Sequence, residues 1–429
     1  MKTWNIIVYC FAVGAFAGCE HEVAPDPLPV REHPLYFTAG IAGSASAGIT
    51  TRADASDTIT PKLVAARDLL LKKTFTEGDV IRICNTNTDK EEPSFNIEGS
   101  SSVYQYVWKK YKNESGFPEG SDEEDKWLDG GTNDSRSEYL FVPDSIPSTD
   151  VKYGFYASDL ISDGANYFQL YAAWWKEFEP GVRDNAPVIE RDQSTKDGFL
   201  NSDMMLAYRK HSIDYPYAAM RLVFWHVFSM LDVRITLPDY DKGHVNAGEG
   251  DAIPDRLPSG YEKDSVKLFM TNVPVDYSIT HTADYSSGNL LSVLPNTSER
   301  AEAIPMYRYY TSGPFLKDVQ VDEGKMEKDS CRTYGFCGIV PPMEWTADQE
   351  VQPLLRLKLK DPLSRADRYY TYTPTKINDS EYSLTLQGGH ISVLEFDLSR
   401  NVDKMEVVRA TIEPWTEAET DVPVTEMGK

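Results

Sequence analysis

The residues with types and spacings suited to chemistry are few. Cys331 and Cys337 enclose only residues 332–336, so they admit either a disulfide or two thiols. Trp174 and Trp175 lie among Tyr167, Phe168, Tyr171 and Phe178. Such a group is either a stacking platform for a sugar or the packing side of an inserted segment. The run Asp122-Glu123-Glu124-Asp125 carries hard oxygen ligands that could collect calcium; a solvated loop is the simpler reading. His226 sits among apolar residues with no Cys or acid at ligand spacing, and it reads as a core histidine. No GxSxG, HExxH, P-loop, GxGxxG or CxxC occurs. The expectation is therefore no catalytic residue, no metal, no cofactor and no enzymatic activity.

The N-terminus carries a different kind of chemistry. Lys2 is followed by a nearly uncharged apolar run, Trp4 to Phe16, and then by Ala17-Gly18-Cys19. The run is too short for a permanent membrane span. Small residues before a cysteine resemble a lipoprotein signal, in which residues 1–18 are removed and Cys19 is acylated. Simple secretion with cleavage near Ala17 is the alternative. Phe16 replaces the leucine usual three positions before that cysteine. Residues 19–35 are charged and Pro-rich and read as a tether. The acids after Cys19 resemble an export signal of surface-exposed lipoproteins, which places the expected location at the outer membrane, facing outward. Acyl chains contribute about 0.8 kcal/mol per buried methylene, enough for anchoring by lipid alone when more than one is attached. A formal charge of −24 argues against nucleic acid as a partner.

The elements that must carry these residues read as strands. The chain has 429 residues, with Tyr 25, Phe 17 and Trp 8, and Gly 27 and Pro 26 spread along it. Met220 to Leu237 is the main apolar stretch. Its first part is apolar on both faces, as in a central strand; its last part alternates, with Asp232 and Arg234 on a face expected to be wet. Further strands are expected at 36–38, 80–84, 103–108, 139–142, 151–157, 203–207, 266–270, 273–279, 337–340, 355–360, 394–398 and 408–412. Residues 61–73 are open between helix and strand, and 165–178 between helix and hairpin. The Gly/Pro/Asp-rich stretch after Pro238 is the expected linker. The fold class is all-β: two β-sandwich domains in series, 36–240 and 241–429.

The landmarks also fall in a recognisable order. Thr51-Arg52-Ala53 precedes Phe75 and Gly78-Asp79, then Tyr153 to Ala157 and Ser202-Asp203 to Ala207. Phe224, His226, Ser229, Leu231 and Val233 follow, then Ile339-Val340-Pro341-Pro342, Gln387-Gly388-Gly389, and Ile412 with Trp415. This resembles the fimbrillin family, the Mfa-like pilins and pilin-like lipoproteins of type V pili, over residues 36–415. Phe75 stands where the family usually has Trp, and Pro342 where Gln is common. The insertion at 109–137 has no counterpart in a minimal pilin. The resemblance implies two transthyretin-like sandwiches and a lipoprotein precursor. It also implies an Arg-specific cut that frees the first strand, so that a neighbouring pilin subunit can add a strand of its own. Carried onto this chain, the cut falls between Arg52 and Ala53. The tail offers Val422, Val424 and Met427 as a donor, interrupted by Pro423. An accessory, tip or anchor subunit therefore fits better than a shaft pilin. A surface ligand of host or bacterial origin is implied for an adhesin. The alternative function is a lipid-tethered glycan-binding surface protein with the tryptophan pair as its site.

Overall fold

The structure, a computed structural model, describes residues 35–41, 59–86, 95, 103–110, 139–144, 154–155, 167–180, 187–212, 220–239, 261–281, 291–322, 325–344, 352–361, 364–374, 384–398, 405 and 407–415. The first part runs β1 (Phe37–Ile41), α1 (Thr60–Asp68), β2 (Val80–Thr86), β3 (Val103–Lys110), β4 (Tyr139–Pro143), β5 (Tyr167–Trp175), α2 (Lys196–Asn201), β6 (Met204–Ser212) and β7 (Met220–His226). The second begins with β8 (Ser229–Pro238), β9 (Lys267–Met270), β10 (Val273–His281), β11 (Leu291–Ala301), β12 (Ile304–Pro305), β13 (Tyr307–Thr311) and β14 (Phe315–Asp322). It continues through β15 (Lys325–Val340), β16 (Met343–Glu344), β17 (Leu355–Lys360), β18 (Asp367–Tyr372), β19 (Thr385–Leu386), β20 (His390–Asp397) and β21 (Val407–Pro414). The described chain is thus nearly all β, in several sheets. The two open segments resolve as α1, with Pro61 in its first turn where a missing N–H costs nothing, and as the strand β5. Of the expected strand at 151–157 only 154–155 is described, and the expected linker after Asp239 and the tail after Trp415 lie outside the described residues.

The first seven strands close on themselves in the order β1–β4–β3–β2–β5–β6–β7, with β1 returning to β7. Their inward side chains, Phe37, Ile81, Ile83, Tyr106, Phe141, Leu170, Leu222 and Phe224 among them, fill one core. A six-stranded sheet, β13–β15–β8–β20–β21 with β14 also on β15, faces a four-stranded sheet, β12–β9–β17–β18. Leu231, Val233, Ile235, Phe336 and Phe396 meet Leu268, Met270, Leu355, Leu357 and Leu359 between them. A third core joins the two bodies: Val80, Tyr171, Trp175 and Met204 pack with Met230, Cys337, Ile339, Ile391 and Trp415.

The stretch 220–237 is two strands in two sheets. β7 pairs with β6 and β1, whereas β8 pairs with β15 and β20. The chain changes sheet at Val227–Phe228, ahead of the expected boundary at 240/241. The expected wet face of β8 is also buried: Asp232 is 0 % exposed and Arg234 5 %. Alternation reports which side chains share a face; here α1 covers the charged one.

Candidate functional site

The site begins with β1. Leu35, Phe37, Ala39 and Ile41 share one face by the period of two and turn into the barrel core, where Phe37 is fully buried. Its ring meets Tyr106 edge-on at 5.0 Å. β1 runs parallel to β7 along its whole length, from Phe37 opposite Met220 to Ile41 opposite Phe224, and touches β4 antiparallel at Phe141. The Leu35 N–H donates to the Phe155 carbonyl at 2.7 Å, and Phe155 N–H to the Tyr106 hydroxyl at 2.8 Å. On the outer side Arg221 lies over Gly40, where a Cβ would meet its guanidinium at 3.0 Å. Burying Leu35, Phe37 and Ile41 contributes about 1.5–3 kcal/mol each. The strand that closes the barrel is therefore short, almost wholly apolar inside, and separated by residues 42–58 from the next described element.

That element fastens the chain on the far side. In α1, Leu63 and Arg67 are the buried residues. Leu63 reaches the sheet at Gly335, where a Cβ would stand 2.8 Å from its Cδ2 and 2.7 Å from the Tyr309 ring. Arg67 Nη1 contacts Asp232 Oδ2 at 3.3 Å and Glu413 Oε2 at 2.8 Å, and Nη2 contacts Asp68 at 3.0 Å. Arg234 holds the same Asp232 oxygen at 2.9 Å and Glu395 at 3.0 Å, and the Tyr309 hydroxyl donates to Asp232 Oδ1 at 2.6 Å. Burial alone would lower the pKa values of Arg67 and Arg234; Asp232 and its neighbours outweigh it and raise both. Burial, then Asp232, pushes the Tyr309 hydroxyl and the Cys337 thiol upward. Both stay protonated, so the cluster is a lock and offers no poised nucleophile. The sequence carried one signal for it: opposite charges two apart in an otherwise apolar strand.

Beyond α1 the segment returns to the barrel. Phe75 packs edge-on against Phe141 and Phe224, each at 5.1 Å, and tilted on Trp108 at 5.7 Å. Lys72 pairs with Asp79 at 2.5 Å and lies 4.9 Å from the centre of the Trp174 ring. His226 Nδ1 is 2.9 Å from Asp203 Oδ1, its Nε2 is 3.3 Å from the Lys72 carbonyl, and its ring stacks on Trp415 at 4.6 Å. It is a core histidine with both nitrogens engaged. The acid partner comes from the neighbouring strand's start, a contact that no spacing within β7 reveals.

The remaining expected site residues divide three ways. Trp174 and Trp175 are 4 % and 2 % exposed, because successive residues of β5 point into two different cores. They form no platform for a sugar. Cys331 and Cys337 are both in β15 and neither is in a disulfide. Six residues along one extended strand separate them by about 20 Å, far beyond the roughly 4.4–6.8 Å between Cα atoms that a disulfide spans. Cys19, Arg52 and Ala53 lie outside the described residues, as does the acidic run at 122–125. Among the described residues no group of three or more His, Cys, Asp or Glu is placed to hold a metal ion, and no helix is long and apolar enough to cross a membrane.

No protein-family model matches the chain, and no curated protein matches it. Solved structures do. A candidate cell adhesion protein from Bacteroides ovatus matches at 12% identity and TM-score 0.39, over 90% of this chain and 99% of that one. One from Bacteroides uniformis matches at 16% and 0.37, over 80% and 94%. The tip fimbrial protein from Porphyromonas gingivalis, truncated at its C-terminus, matches at 10% and 0.30, over 79% and 95%. The structures this chain is similar to are described as cell adhesion, fimbrial and polysaccharide-binding proteins.

Proposed function

We propose that this chain is a fimbrillin-like surface lipoprotein, a structural and adhesive component of type V pili in an accessory, tip or anchor position, joined to other subunits by strand exchange. The observation that carries the reading is the seat of β1. A cut after Arg52 would leave β1 held by non-covalent contacts alone. Its departure would strip β7 and β4 of their shared partner and bare Phe141, Met220, Leu222 and Phe224. Unpaired backbone beside an apolar groove is refilled by a strand from another subunit, whose backbone restores the ladder and whose alternate side chains restore the core.

The rest of the reading follows from the same picture. Acylated Cys19 ties the precursor to the outer membrane with its body outward, and the free end of a fibre reaches a host or bacterial surface ligand. The body is two transthyretin-like units in series, the first closed into a barrel and the second a sandwich; the change of sheet at Val227–Phe228 supports a division there rather than at 240/241. The broken donor pattern at Val422, Val424 and Met427 favours a subunit that receives a strand and hands none on.

Treating the purified precursor with an Arg-specific protease tests this. The expected product is a single new N-terminus at Ala53, and the processed protein mixed with pilin subunits should form ladders that survive detergent until heated. Intact chain only, cuts scattered over the surface, or processed protein that stays monomeric would overturn it.

A further inference from the structure

The wet face of the four-stranded sheet has a composition at odds with the rest of the molecule. Along β17, Leu355, Leu357 and Leu359 are buried in the sandwich, so Arg356, Lys358 and Lys360 point outward. Register places Tyr369 of β18 opposite Lys358, and Phe269 and Lys267 of β9 opposite Arg356 and Lys358. Tyr369 is 51% exposed. The Arg356 guanidinium lies 5.6 Å from the Phe269 ring centre and 5.6 Å from that of Tyr369, and Lys358 lies 5.9 Å from the latter. Arg356 Nε is buried with no hydrogen-bond partner, and neither Arg356, Lys360 nor Lys267 has an ion pair among the described residues. Two acids are near. Asp367 is taken up by Lys358 at 2.6 Å, and Asp192, at the rim toward Lys267, is held by the Ser194 N–H at 2.9 Å. The face is thus a cationic island with aromatic rings on a chain whose formal charge is −24.

We propose that this face binds an acidic polysaccharide. Charge selects an anionic ligand, because the unmatched cations gain a partner that the protein itself withholds. The rings select a sugar polymer over an acidic protein segment: exposed aromatic surface flanked by cations suits the C–H faces of pyranoses carrying carboxylates at regular intervals. A face laid out along strands suits a chain-like ligand better than a pocket would. This site is separate from the buried tryptophan pair and independent of strand exchange, so the assembly experiment above can fail without touching it.

The test is affinity electrophoresis of the full chain in gels containing polygalacturonate, neutral dextran, polyglutamate or single-stranded oligothymidylate. Polygalacturonate is expected to retard the wild type and dextran not to, with retardation falling as salt rises. The triple variant R356Q/K358Q/K360Q is expected to bind polygalacturonate about tenfold more weakly. Y369A is expected to weaken polygalacturonate binding while leaving any polyglutamate binding unchanged. Tyr369 is exposed and the three cations are half-buried on the outer face, and an unchanged thermal midpoint in each variant checks the fold. No retardation of the wild type, or equal retardation of the triple variant, overturns the proposal. So does polyglutamate or oligothymidylate binding as tightly as polygalacturonate with Y369A silent, which makes the face a docking surface for acidic protein or nucleic acid.

Discussion

Phe37→Ala probes the seat of β1 most directly. Phe37 is fully buried, its ring abuts Tyr106 edge-on at 5.0 Å, and it stands opposite both Met220 and Phe141. It is also the residue of β1 that register places against both neighbouring strands, so the site cannot collapse from one side alone. Truncating a buried Phe to Ala costs about 3–5 kcal/mol, or roughly 10²–10⁴ in the equilibrium constant. A domain is stable by only about 5–15 kcal/mol, so the barrel should lose roughly a fifth or more of its margin. Urea unfolding followed by the fluorescence of Trp108, Trp174 and Trp225, which pack in or against this core, reads the loss. Thr38→Ala, on the outward side of the same strand, should stay within about 0.5 kcal/mol. A synthetic peptide of residues 34–41 added to the Phe37→Ala protein should raise its midpoint, because it supplies the missing side chain in the same seat. A loss below about 1 kcal/mol, or indifference to the peptide, would refute the claim that β1 is a separable strand filling a groove.

Two further outcomes follow from the charged clusters. Arg67→Ala removes the partner of Glu413 and one of the partners of Asp232, while Arg234 and Tyr309 remain on Asp232. The expected loss is about 1–3 kcal/mol, with faster trypsin cleavage at Lys62, Lys72 and Lys73 as α1 lifts; an unchanged digestion pattern would count against α1 being held there. Asp239 contacts Lys263 at 2.7 Å and Arg332 at 3.2 Å; burial pulls its pKa up, but these cations outweigh it and hold it below the usual carboxylate range. A depressed folded pKa means stability present above the unfolded value, about 3.9, and lost as pH falls through the folded one. The stability gap between wild type and Asp239→Asn should therefore be full near neutrality and close in acid; a gap independent of pH sinks the assignment.

Much of the sheet content was legible because side-chain periodicity is a local property. Leu355, Leu357 and Leu359 announced β17, and the apolar alternation at 273–279 announced β10. What failed was whatever depends on a distant partner. Asp232 and Arg234 read as wet because nothing near them in sequence says that Arg67 comes to cover that face. Trp174 and Trp175 read as a possible platform because a strand with a core on each side looks, from its own residues, like an aromatic patch. The sequence 220–237 read as one strand because a sheet change costs only two residues, Val227 and Phe228, both apolar and both buried. His226 reads as a core residue from its apolar neighbours alone, whereas its partner Asp203 is remote in sequence.

The absence of slack between β7 and β8 has a mechanical meaning. β7 is the strand that lies beside β1, and any replacement for β1 would grip it along the same edge. Tension applied there passes through Val227 and Phe228 straight into β8, which is laced along its length by β15 on one side and β20 on the other. Load in that direction shears many hydrogen bonds together instead of peeling them one at a time. A fibre made from such units would transmit force through the middle of each body as a rod does, with the give confined to the joints between subunits.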